Sequence, residues 1–146
     1  MPSASHPTTR QLAIASAAAL ACFLSLDACW LSLMSTRLYK PALGDLVSST
    51  VDWRAAVSFY AVYLTGLLVF AVRPALESLE PGRAARLGSL FGLVAYATYD
   101  LTNQATLANW PWVVTAAVLA WGTVVSGVSA WVAARVASRG IDRLRP

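Results

Sequence analysis

The sequence predicts an all-α integral membrane protein, a four-helix bundle with both termini in the cytoplasm. Three observations carry that prediction. Hydrophobic residues make up 58% of the 146 and charged residues only 12%, about half the usual charged share. With a mean hydropathy of +0.58, the chain could not cover a soluble core with polar surface. That excludes disorder, a coiled coil and most classes of water-soluble enzyme. Second, four stretches reach the roughly 20 apolar residues needed to cross about 30 Å of hydrocarbon. Third, the basic residues divide unevenly between the two sides that four spans would define.

The first span is expected at residues 11–35, broken only by Asp27. The second covers 55–75, with no charge until Arg73. The third covers 84–107, with Asp100 as its one internal acid, and the fourth, 112–134, carries no charge. A basic cytoplasmic tail, 135–146, follows and is expected to be mobile from Ala137 onward. Backbone groups cannot go unpaired in lipid, so the spans are helices. The period-2 alternation of a membrane barrel is absent. Pro41 and Gly44 are expected in the first loop, and Pro81-Gly82 as the turn between helices two and three. Pro111 suits the first turn of helix four, and Pro74 sits where a kink near the end of helix two costs little. Trp53, Trp110 and Trp112 fall at span ends, where interfacial tryptophans concentrate. The whole chain reads as a single transmembrane domain.

Orientation follows from counting. One side carries Arg10, Arg73, Arg83, Arg86, Arg135, Arg139, Arg143 and Arg145, and the other only Arg37, Lys40 and Arg54. Eight against three places the N-terminus, the second loop and the C-terminus in the cytoplasm. A signal-peptide reading competes at the N-terminus, where Cys22 after Ala19-Leu20-Ala21 resembles a degraded lipoprotein box. The apolar run continues past it to Leu33, too long for a signal core, so an uncleaved helix is expected. Cys22 and Cys29 are seven residues apart on one helix and cannot bridge, and inert buried thiols are expected. His6 is expected to be solvated rather than ligating.

The informative residues are the two acids inside spans. Counted from the outer ends, Asp27, Tyr63, Asp100 and Trp121 come to similar depth on four different helices. Tyr96, Asp100 and Asn103 share one face of helix three, Tyr60 neighbours Tyr63, and Asp27 neighbours Trp30. Tyr hydroxyls, Trp indoles and the Asn amide are the donors available to a buried acid, since every Arg and Lys lies at a span end. The candidate polar site is therefore Asp27, Trp30, Tyr60, Tyr63, Tyr96, Asp100, Asn103 and Trp121. Against it stands the plainer reading that the acids only tie helices together. Replacing either Asp by Leu is expected to destabilise, because donors would lose their acceptor.

The run Tyr96-Ala97-Thr98-Tyr99-Asp100-Leu101-Thr102-Asn103, followed by Ala105-Thr106-Leu107 and Trp110-Pro111, resembles one known family. Further matching pieces are Leu26-Asp27 with Trp30-Leu31, Phe59-Tyr60 with Tyr63 and Gly66, Phe70 to Ala75, and Ala120-Trp121-Gly122-Thr123. The chain is similar along almost its whole length to the bacterial membrane proteins catalogued as domain of unknown function 2177. The resemblance implies a small four-span inner-membrane protein of no established activity. Two positions depart from the family pattern. Val118 stands where an acid usually lies three residues before the helix-four Trp, and Ala108 stands where a basic residue is common. If those groups pair elsewhere, this chain has lost both together, which leaves no orphan charge in lipid.

Two functions compete. The first is an internal polar site, centred on Asp27 and Asp100, that binds or passes a small solute, proton or cation. The second is a non-transporting structural or accessory role in which the polar layer only fixes helix packing. An intramembrane enzyme is less favoured, because no span carries a His, an Asp-x-x-Asp pair or a Ser-His arrangement. No cofactor or metal is expected, and the expected partner is the lipid bilayer, not nucleic acid. Ala84, Gly88 and Gly92 form a small-residue ridge; close packing within one bundle explains it better than an oligomer does.

Overall fold

A computed structural model describes residues 6–142 of the chain. Helix α1 spans Thr9–Met34 and runs into a π-helical turn, Ser35–Tyr39, then into the short α2, Lys40–Leu43. A 3₁₀ turn, Gly44–Leu46, ends this first unit. Helix α3, Trp53–Leu67, is followed by a second π turn, Leu68–Val72, and by α4, Arg73–Glu77. Helix α5 covers Pro81–Thr106 and α6 covers Trp112–Asp142. Among the described residues there is no strand.

Caps and breakers explain the boundaries. The Thr8 hydroxyl accepts from the Gln11 amide while the Gln11 side chain accepts from the Thr8 amide, a reciprocal capping box. Asp52 caps α3 by accepting from the amides of Arg54 and Ala55. Each π turn ends two residues before a proline, Pro41 or Pro74. Proline lacks an N–H, and its ring crowds the carbonyl four residues back. In both turns the next amide instead bonds five residues back, Lys40 to the Ser35 carbonyl and Arg73 to the Leu68 carbonyl. The widened turn makes room for the ring, so the helix continues where a kink or stop is expected.

Three expectations change here. Pro41 does not lie in a loop but in the first turn of α2, because the π turn before it absorbs its missing donor. Pro81 and Gly82 are not the turn but the first two residues of α5, where proline's fixed φ suits a helix start. The turn falls at Ser78 to Glu80, with Leu79 at φ +55°. The basic tail is helical as far as Asp142, and Ala137 is fully buried. Its last residues, Arg143 to Pro146, lie outside the described part.

The core is a seam of small residues. On α1 the buried positions are Ala15, Ala19, Phe23 and Asp27, each four residues from the last. On α5 they are Ala84, Gly88, Gly92 and Asp100, which fall on a second four-residue row. Such i±4 rows are the ridges by which helices interlock. Both rows pack on α6, and α5 against α6 is the most extensive contact in the molecule. It is also a close one. A Cβ added at Gly88 would lie 2.7 Å from the Ala130 Cβ and from the Ser126 carbonyl oxygen. The small-residue ridge of α5 is thus occupied within the chain itself.

The outer surface is apolar in the opposite sense to a soluble protein. Val62 is 75% exposed and Trp112 67%, and large apolar side chains protrude from every long helix. Contiguous apolar surface of this extent needs a non-aqueous cover. Thr9–Leu46, Trp53–Glu77 and Trp112–Arg139 are each long and apolar enough to cross a membrane. Helix α5 is long enough at 26 residues, but Arg83, Arg86, Asp100, Asn103 and Gln104 lower its hydropathy. Helix α1 exposes Cys29 and half-buries Cys22, so neither thiol is sealed in the core as expected.

Candidate functional site

Asp27 closes the α1 row and is buried at 8% exposure. Its Oδ2 accepts from the Tyr60 hydroxyl at 2.6 Å, and its Oδ1 accepts a longer bond from the Trp121 indole at 3.4 Å. Three helices therefore meet on one carboxyl: α1, α3 and α6. The Trp121 ring stacks on Trp30, with centroids 4.6 Å apart and planes within 7°. Trp30 in turn donates from Nε1 to the Tyr39 hydroxyl at 2.8 Å. Because α1 places Trp30 three residues after Asp27, the stacked indoles cover one side of the acid.

Tyr63 lies one turn deeper than Tyr60 and does not reach the acid. Its hydroxyl pairs with the Ser126 hydroxyl at 2.6 Å, while Ser126 also donates to the Gly122 carbonyl. The Tyr63 ring meets Phe23 at 5.2 Å and stands edge-on to Tyr96 at 5.8 Å. Tyr96 itself lies over Gly122 of α6. Aromatic pairs in such tilted and edge-on arrangements add to simple burial.

Asp100 closes the α5 row and is fully buried. Neither of its carboxyl oxygens has a hydrogen-bond partner among the described residues. Its depth on α6 can be read from its neighbours. Tyr96 lies over Gly122, and Gln104 accepts from the Thr115 hydroxyl at 3.1 Å. Asp100, midway between them on α5, is therefore level with Val118 and Leu119. Asn103 is half-buried one turn further out and takes no part in the bonds around Asp27.

The eight residues singled out from the sequence thus separate into groups. Asp27, Trp30, Tyr60 and Trp121 are joined by direct contacts. Tyr63 and Tyr96 form an adjoining aromatic layer, and Asp100 and Asn103 bond to none of them. Tyr39 and Ser126 escape the sequence reading. The sequence puts Tyr39 in a loop, yet the π turn carries its hydroxyl back onto Trp30. The signal lies in Pro41, which calls for a widened turn just before it. A lone Ser in a charge-free span carries no such flag.

Two further features border the site. Gln104, Trp110 and Thr115 close a ring of bonds across the α5–α6 connection: Gln104 Nε2 to the Trp110 carbonyl, Trp110 Nε1 to Thr115, and Thr115 to Gln104 Oε1. At the other end, His6 Nδ1 lies 3.8 Å from Glu77, which also pairs with Arg73 at 3.2 Å, and Arg86 pairs with Glu80 at 2.6 Å. These exposed pairs contribute little to stability. They do place the start of α1 beside the turn between α4 and α5. No group of His, Cys, Asp and Glu among the described residues is arranged to hold a metal ion.

A bundle with no strand among the described residues, whose long helices expose apolar faces and turn Asp27 and Asp100 inward, defines a helical integral membrane protein. The chain belongs to the family described as "Predicted membrane protein (DUF2177)", whose model matches residues 12–135. No curated protein and no solved structure matches it. Its function is uncharacterised.

Proposed function

We propose that the chain crosses the cytoplasmic membrane of a bacterium four times, with both termini inside. In this reading Asp27 and Asp100 form an internal site that binds or passes a proton, a cation or a small solute. The single observation that carries it is Asp100, fully buried with both oxygens unpartnered. A carboxyl in that setting is costly unless something pairs with it, and intramembrane acids are retained chiefly where they serve a pathway. Asp27, by contrast, is held by two donors, which favours a packing role for that residue taken alone. A packing role for the whole layer is the second reading.

Proteoliposomes separate the two. With imposed gradients of protons, sodium or potassium, the wild-type chain is expected to dissipate at least one faster than empty liposomes. Asp100→Asn keeps size and shape, and is expected to abolish that flux while leaving thermal stability unchanged. No protein-dependent flux, or full flux in Asp100→Asn, would leave the packing reading standing instead.

The topology rests on the eight-to-three division of basic residues, and the His6–Glu77 approach supports it. Ser48 and Asn109 are exposed in the two connections assigned to the outside, and Ser78 in the one assigned to the inside. In a background lacking Cys22 and Cys29, single cysteines at Ser48 and Asn109 are expected to label from outside intact cells. A cysteine at Ser78 is expected to label only after lysis. The reverse pattern would invert the orientation, and labelling of all three from outside would rule out four spans.

A further inference from the structure

A crevice of about 400 Å³ opens between α3, α5 and α6, lined by Phe59, Tyr63, Ala95, Tyr96, Tyr99 and Val118. Its volume falls within the range of small-molecule sites. We propose that it binds a lipophilic organic cation, whose charge is drawn toward Asp100. This deepens the reading of Asp100 as a cation site and rests on it.

Four of the six lining residues are aromatic and none is basic. Aromatic faces attract a cation through the ring quadrupole, most strongly when water is excluded. Three of the rings are contiguous, with Phe59 at 5.3 Å from Tyr63 and Tyr63 at 5.8 Å from Tyr96. Phe59 and Tyr99 are exposed, so the crevice opens sideways from the bundle, onto lipid in the membrane reading. A ligand would enter from the bilayer, and must itself be apolar.

The charge preference comes from behind the wall. Tyr96 precedes Asp100 by one turn of α5, and Val118 is level with it on α6. The carboxyl is not exposed to the crevice, but a cation bound there would favour its ionised form, whose field is only weakly screened across a dry wall. An organic anion would meet that field and the negative ring faces together. A neutral molecule would gain apolar contact and no more. Of the three classes, only the cation satisfies both features.

Tetraphenylphosphonium and tetraphenylborate, near-isosteric ions of opposite charge, test the point. Equilibrium dialysis against the protein in zwitterionic nanodiscs, corrected with empty nanodiscs, should show one saturable site for the phosphonium. No saturable site is expected for the borate. Asp100→Asn should weaken phosphonium binding at least tenfold. Val118→Phe, which fills the crevice, should abolish it, and Tyr99→Ala, at an exposed position that need not disturb folding, should weaken it severalfold. Equal binding of both ions, or unchanged affinity in Asp100→Asn and Tyr99→Ala, would overturn the proposal. If the phosphonium does not bind while ion flux still depends on Asp100, the crevice is no cation site and the proposed function stands. If no ion flux depends on Asp100 but the phosphonium binds as described, the pathway reading fails and the crevice remains a binding site.

Discussion

Gly92→Leu is expected to destabilise the protein by about 3 kcal/mol, at the upper end for overpacking a closed core. A Cβ at Gly92 would collide with the Gly122 carbonyl oxygen and lie 2.7 Å from the Ser126 Cβ. The obstacle is backbone, which cannot swing aside as a flexible side chain can. Pushing α5 off α6 would disturb the largest contact in the bundle and strip Ser126 from Tyr63. A control lies on the same helix. A Cβ at Gly82 meets nothing nearer than Glu80 Oε1 at 4.0 Å, so Gly82→Ala is expected to stabilise by about 0.5 to 1 kcal/mol. Thermal unfolding in detergent reads both. A Gly92→Leu protein as stable as wild type would mean that α5 and α6 do not approach as described.

The two acids are expected to respond to apolar replacement with opposite signs. Asp27→Val strands the Tyr60 hydroxyl and the Trp121 indole, and should destabilise by about 1 to 3 kcal/mol. Asp100→Val removes no hydrogen bond, because neither oxygen makes one. Deleting an unsatisfied buried polar group should return a similar amount, so this variant is expected to melt at or above the wild-type temperature. The sequence alone suggests destabilisation at both positions, on the assumption that each acid has donors. Unfolding curves for the pair decide the matter. Equal losses of stability would show that Asp100 has partners after all, and would remove the support for a functional role there.

Part of the candidate site's arrangement is legible in the sequence. Of the four residues counted to one depth, Asp27 and Trp121 meet, while Tyr63 pairs with Ser126 and Asp100 bonds to none of them. Depth is a one-dimensional quantity, set by rise per residue and readable from a string. Rotation about the helix axis is harder to read. Tyr60 and Tyr63 are neighbours on one helix, yet one hydroxyl meets an acid and the other a serine. The π turns are harder still, since each adds a residue to a turn and rotates everything beyond it. Tyr39 reaches Trp30 for that reason, although nine residues of unbroken α-helix, about two and a half turns, would have set it on the opposite face.

The chain's membrane character followed from composition and hydropathy, because transfer into lipid is close to additive over residues. That both acids must turn inward followed from the cost of exposing a charge to hydrocarbon. Which acid would find donors did not follow. Asp27 and Asp100 end rows with the same spacing, on helices that pack against the same partner. Only the tertiary register brings Tyr60 and Trp121 to the first, and sets the second level with Val118, whose side chain can donate nothing. A hydrogen bond depends on ångström-scale placement of two groups from distant parts of the chain, and no pattern within one helix specifies it.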